Sequence, residues 1–145
     1  MKPIEQLIEI SQYTGTGYRV LVNYEGWRVA ILNFIEELLP ENIAKMQRHE
    51  ETDEVFVLLS GRCILFLGDG DATIERIHAV DMEPMKIYNV KKNCWHTHTL
   101  DRTASVLIVE NLDTGDENSS DIDLTPQQKS DLAALTRQIF VDVKS

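Results

Sequence analysis

From Tyr18 to Val109 the chain is a succession of short β-rich runs closed by turn residues, and that spacing admits few folds. The runs are Tyr18 to Asn23, Trp27 to Ile35, Val55 to Leu59, Cys63 to Leu67, Thr73 to Val80, Met85 to Val90, Trp95 to Leu100 and Ser105 to Val109. Turn chemistry separates them: Glu25-Gly26 reads as a hairpin tip, Ser60-Gly61 ends a strand, and Gly68-Asp69-Gly70-Asp71 reverses the chain. Around eight strands at roughly ten-residue spacing predict an all-β sandwich or barrel. No longer period repeats, which removes solenoids and propellers.

The flanks follow a different rule. Ile4, Leu7 and Ile8 fall at helical spacing, so Pro3 to Ile10 is expected to form a short amphipathic helix before the breaker Thr14-Gly15-Thr16-Gly17. Asn111 to Asp123 is acidic, lacks an apolar period and reads as an exposed linker reaching to about residue 124. Thr125-Pro126 then offers an N-cap with proline at the first helical position, and Gln128 stands three residues past the cap. Leu132, Leu135, Ile139 and Phe140 predict a helix from Pro126 to Val141 with one face on the barrel. Residues 1–145 are expected to form one domain with its barrel core at about 26–110.

The charge of −10 removes several functions. Phosphate-backbone binding needs clustered Lys and Arg, so nucleic acid is not an expected partner. No basic amphipathic stretch seeks an anionic membrane, and no apolar run approaches the roughly twenty residues that span one. Two cysteines, Cys63 and Cys94, suit a reducing compartment, and the expectation is a soluble cytoplasmic protein.

Candidate chemistry gathers in two places. One reads Gln47-Arg48-His49-Glu50-Glu51-Thr52-Asp53-Glu54, followed by an apolar strand ending at Gly61; the other reads Asn93-Cys94-Trp95-His96-Thr97-His98. Imidazole and carboxylate are ligands for Fe, Mn, Ni, Co or Zn. A strand presents alternate side chains to one face, so His96 and His98 point the same way, and Cys94 shares their parity. Glu54, Phe56 and Leu58 likewise share a face, which predicts a pocket with apolar walls and one polar end. The opposite face carries Val55, Val57 and Leu59 and also needs cover, so a homodimer is expected.

At these residues the chain resembles the cupin superfamily, whose fold is a double-stranded β-helix of jelly-roll type. The first cupin motif is G(x)5HxH(x)3-4E(x)6G; His49, Glu54 and Gly61 fall on its second histidine, glutamate and final glycine, with Gln47 for the first histidine and Glu41 for the first glycine. The second motif is G(x)5PxG(x)2H(x)3N; His96 matches its histidine, with Met85 and Asn93 for its glycines, Lys91 for its proline and Leu100 for its asparagine. Asn tolerates positive φ, which softens one of these departures.

The resemblance implies a divalent transition metal held by His49, Glu54 and His96; from the His96-x-His98 spacing, His98 is expected to replace the ligand missing at Gln47. Otherwise His98 remains near the metal as a catalytic acid or base, or orients a ligand from behind. The implied activities are isomerisation, dioxygenation or decarboxylation of a small polar molecule. The alternative is a metal-free barrel that binds a small ligand without turnover. Lys91 and Lys92 stand where they could steer an anion; His78 lacks suitable neighbours and reads as structural or exposed. Gly15-x-Gly17 is too short for a dinucleotide fingerprint, and Asp69-Gly70-Asp71 lacks calcium-loop spacing.

Overall fold

The computed structural model describes residues 1–141. Ten strands form two five-stranded antiparallel sheets. They are β1 (Tyr18–Tyr24), β2 (Trp27–Asn33), β3 (Lys45–His49), β4 (Glu54–Ser60), β5 (Cys63–Asp69), β6 (Arg76–Asp81), β7 (Tyr88–Val90), β8 (Trp95–Leu100), β9 (Ser105–Asn111) and β10 (Ser119–Asp123). The first sheet has the order β1-β2-β9-β4-β7 and the second β10-β3-β8-β5-β6. Successive strands from β3 onward mostly alternate between sheets, which gives the jelly roll its two facing walls.

Period-two alternation decides which side chains fill the space between the sheets. Ala30 and Leu32 of β2, Phe56 and Leu58 of β4, Cys63 and Leu65 of β5, and Val106 and Ile108 of β9 all meet there. The intervening residues of the second sheet, Ile64, Phe66 and Trp95, face the other way and are buried too. Helix α1 (Pro126–Val141) covers them, with Leu132 fully buried. Its start is the predicted capping box: Thr125 Oγ1 accepts from the Gln128 amide at 3.1 Å, and Gln128 Oε1 accepts from the Thr125 amide at 2.9 Å.

No helix among the described residues covers the outer face of the first sheet, although residues 9–13 run beside part of it. Val29 and Ile31 of β2, Leu107 and Val109 of β9, and Val55, Val57 and Leu59 of β4 lie there, and Leu59 is 51% exposed. The segment from Ile4 to Ile10 does not form the predicted helix. It makes one 3₁₀ turn at Ile4–Gln6, and Ile4, Leu7, Ile8 and Ile10 all stay exposed, because a lone amphipathic turn gains little without a surface to bury against.

The acidic segment after β9 also differs from expectation. Its last five residues form β10, paired with β3 from Ser119↔His49 to Asp123↔Lys45. An edge strand needs only one set of partners, so polar residues suffice. Strand β3 itself was not among the predicted runs, since Lys45 to His49 contains a single apolar residue, Met46.

Positive φ falls where the sequence motifs replace glycine: Met85 has φ 69° and Asn93 φ 65°. Asn93 turns the chain so that its amide donates to the His49 carbonyl at 2.7 Å, tying the two motifs together. Asp53 reinforces that link, accepting from the Lys92 amide at 2.8 Å and the Asn89 side chain at 3.0 Å. Those hydrogen bonds, the Lys92 backbone one first, hold its carboxyl below the usual aspartate value. Gly61 has φ +68°, and a Cβ there would overlap the Ala104 backbone.

Two outcomes follow from this framework. Gly61→Ala should lose more than about 1 kcal/mol of stability, from the left-handed backbone and the overlap, read as a lower urea midpoint with unchanged slope. Because the Asp53 pKa is depressed on folding, its contribution is present above the ordinary value of 3.8 and disappears as pH falls through the folded value. Wild type should therefore exceed Asp53→Asn in stability at pH 7, and their denaturation curves should converge below pH 3.8.

Candidate metal centre

Three strands supply the site. His49 ends β3, Glu54 begins β4, and His96 and His98 alternate along β8. Strands β3 and β8 are far apart in the chain but adjacent in the sheet, with Gln47 directly opposite His96. Glu54 sits on the facing sheet, so the carboxylate and the imidazoles meet across the mouth of the barrel.

His49 Nε2 lies 2.7 Å and His96 Nε2 3.1 Å from the same oxygen, Glu54 Oε2. All three residues are buried, with 7%, 5% and 7% exposure for His49, His96 and Glu54, and their ligand atoms fall within 4.8 Å of one another. The rings are fixed from behind. His49 Nδ1 is 2.8 Å from Ser119 Oγ, and His96 Nδ1 is 2.9 Å from the Cys94 carbonyl. Phe56 supports the inner side, its ring centroid 6.1 Å from that of His96 and 5.7 Å from that of His98.

Proton accounting constrains this arrangement. A carbonyl can only accept, so His96 Nδ1 carries the hydrogen, and in the neutral ring Nε2 is a lone pair. A lone pair 3.1 Å from a carboxylate oxygen needs a positive charge between them, either a proton on Nε2 or a metal cation. Burial alone would raise the Glu54 pKa, but hydrogen bonds from both histidines and their charge overcome it and hold the carboxyl at about 2. Burial alone would lower His49, but its bond to Glu54 and that carboxylate's charge raise it above 6.5. The donor set fits a divalent transition metal: two imidazoles with Nδ1 engaged elsewhere, one ionised carboxylate, and outer partners that fix the tautomer.

His98 adjoins this group without belonging to it. It borders the same cavity, and its Nδ1 is buried with no hydrogen-bond partner among the described residues. Burial pushes its pKa down to about 4, so the ring is neutral at physiological pH. That differs from the near-neutral titration expected of an unperturbed histidine, because Glu54 only partly offsets the cost of burying charge. Gln47 lies on the same face of β3 as His49 and also lines the cavity.

Other candidates fall elsewhere. Lys91 approaches Asp53 at 4.0 Å on the surface, and neither it nor Lys92 borders the cavity. His78 is exposed on β6. Cys63 is a buried core thiol whose pKa burial pushes up to about 12.

The sequence reading missed a second polar wall. Tyr18 of β1, Arg28 of β2 and Glu110 of β9 converge opposite the triad, with the Tyr18 hydroxyl donating to Glu110 Oε1 at 2.7 Å and Arg28 Nη2 donating to the same oxygen at 2.7 Å. Parity carried the signal: Arg28 alternates inward with Ala30 and Leu32, and Glu110 with Val106 and Ile108. Ser119 had no such signal within its polar segment.

No protein-family model matches the sequence, and no curated protein matches it. Solved structures do. A cupin-2 domain-containing protein from Shewanella frigidimarina superposes with a TM-score of 0.50 at 15% identity, over 68% of this chain and 84% of its own. A 3,4-ketoisomerase from Thermoanaerobacterium thermosaccharolyticum, a double mutant in complex with TDP, gives 0.51 at 12% identity over 64% of each chain. The formate complex of an oxalate decarboxylase from Lactobacillus farciminis gives 0.50 at 14% identity, over 74% of this chain and 32% of the enzyme. At these identities the likeness is one of fold. With two facing antiparallel sheets and these neighbours, the chain has the cupin fold, a double-stranded β-helix of jelly-roll type.

Proposed function

We propose that the barrel mouth binds one divalent transition metal through His49, Glu54 and His96 and offers it to a small polar molecule. The observation that carries this reading is the approach of two imidazole Nε2 atoms to one buried carboxylate oxygen, with both Nδ1 atoms engaged from behind. Such an ion supplies Lewis-acid polarisation of a substrate oxygen or, for a redox metal, electron transfer. The ketoisomerase and the oxalate decarboxylase share this fold, which supports chemistry of isomerase or decarboxylase type.

The chain's own residues divide the work. Ser119 and the Cys94 carbonyl orient the two ligand rings, and Phe56 shields the inner edge of His96. Gln47 adds a neutral amide beside His96. His98, neutral and bordering the same cavity, serves the bound molecule by hydrogen bonding. It would need to shift to join the ligand set, since it stands outside the close group.

A second copy of the chain completes the molecule in this reading. The uncovered face of the first sheet presents Val, Ile and Leu on its three central strands, and a two-fold interface would bury it against itself. No helix among the described residues is long and apolar enough to cross a membrane. The free thiols of Cys63 and Cys94 favour a reducing, cytoplasmic setting.

Elemental mass spectrometry on untagged protein, purified without chelator or nickel resin, tests the metal. One equivalent of Fe, Mn, Ni, Co or Zn is expected, falling below about a tenth in His96→Ala and remaining in His98→Ala. Little metal after anaerobic reconstitution would leave the ligand-binding barrel without a metal. Because His49 holds its proton to higher pH than an ordinary histidine, metal affinity should climb as pH rises through and beyond 6.5, with proton release on binding. Light scattering after size exclusion should give twice the chain mass for wild type and the chain mass for Leu59→Lys, with the folded circular dichroism spectrum retained in both.

A further inference from the structure

The cavity behind the triad is lined mainly by acceptors, with the Gln47 amide as a neutral donor among them. It holds about 280 Å³ and lies between His49, Glu54 and His98 on one side and Tyr18, Arg28, Glu110 and Thr114 on the other. Among the described residues Arg28 is the one Arg or Lys that borders it, and four of its five N–H groups are already engaged. Nε and Nη2 donate to Glu110 Oε1 at 3.0 and 2.7 Å, Nη2 donates also to the Thr114 carbonyl at 3.0 Å, and Nη1 donates to the Leu112 carbonyl at 3.1 Å. The Tyr18 hydroxyl is engaged as well, on Glu110 Oε1.

What remains for a ligand is mostly lone pairs. Three donors meet on Glu110 Oε1, and none among the described residues reaches Oε2. Both histidines approach Glu54 through Oε2, which leaves its Oε1 free of them. Two residues that border the cavity each carry a buried polar atom with no partner among the described residues: Nδ1 of His98 and the hydroxyl of Thr114, a residue only 8% exposed. The wider mouth, about 450 Å³, repeats the bias with Glu37, Asp116 and Asp121 against one lysine, Lys45, whose ammonium is paired with Asp121.

Each ligand class meets this wall differently. A carboxylate or phosphate would be drawn to a divalent ion by one oxygen, but its remaining charge would face a ring of oxygens with no free guanidinium fork. An ammonium would be repelled by a divalent ion at the triad. A neutral molecule with several hydroxyls suits both demands, its O–H groups donating to the free acceptors and its own oxygens facing the metal. Resting on the metal reading above, we propose that the site takes an uncharged polyhydroxylated small molecule, a sugar or polyol, and discriminates against carboxylates, with Glu110 and Thr114 setting that choice. Glu110 does so twice, by presenting an acceptor and by neutralising Arg28.

The test is calorimetric titration of the full chain, with and without Mn²⁺ loading, against a panel of pentoses, hexoses and alditols and against malonate. The best polyol should bind at least about tenfold more tightly than malonate, a difference of roughly 1.4 kcal/mol. Glu110→Gln, which removes the charge that neutralises Arg28, should shift the preference toward malonate by about tenfold or more, with Mn²⁺ stoichiometry unchanged. Thr114→Val keeps the shape and deletes the hydroxyl, so it should weaken polyol alone; it serves if Glu110→Gln does not fold. Malonate binding more tightly than every polyol, or no polyol binding, would overturn the proposal even with one Mn²⁺ bound. Polyol preference in a protein that takes up no Mn²⁺ would uphold it while removing the metal reading.

Discussion

A carboxylate buried beneath two imidazoles is the constraint on which the rest of the mouth depends. Glu54 cannot stay ionised at 7% exposure without compensation, and His49 and His96 provide it through their Nε2 atoms. Those rings can face Glu54 only because Ser119 and the Cys94 carbonyl occupy the opposite nitrogens. Ser119 is present only because the polar end of the acidic segment pairs as β10 along β3. A side chain from an unpromising stretch thus sets the orientation of a central histidine.

The two sheets solve the problem of burial differently. The second sheet carries its histidines on the inner face and is apolar on the outer one, which α1 closes over Ile64, Phe66 and Trp95. Gly68 allows this close packing, since a Cβ there would stand 2.9 Å from that of Trp95. The first sheet keeps its outer aliphatic face open, while its inner face carries Glu54, Arg28 and Glu110 toward the cavity. Arg28 and Glu110 neutralise each other, so the inner charges are tolerable away from bulk water.

Legibility followed local pattern. Strand β8 from Trp95 to Leu100 and helix α1 from Pro126 to Val141 have the predicted limits, because alternation and a capping box are properties of neighbouring residues. Glu54, Phe56 and Leu58 face inward as parity predicts. The N-terminal helix was misjudged, since Ile4, Leu7 and Ile8 show helical spacing without a surface to satisfy it. Strands β3 and β10 escaped notice because their pairing with each other, not apolar periodicity, stabilises them.

The order of strands and turns, the inward parity of Glu54, His96 and His98, and the capped helix were determined by the sequence itself, through backbone geometry and spacing. Only the tertiary structure decided which of those inward residues meet. It joined His49, Glu54 and His96 and left His98 beside them; it also set the Tyr18, Arg28 and Glu110 wall across the cavity. The reason is that a strand's alternation fixes a side chain's face, whereas its neighbours depend on which strands pair and how the sheets close over one another.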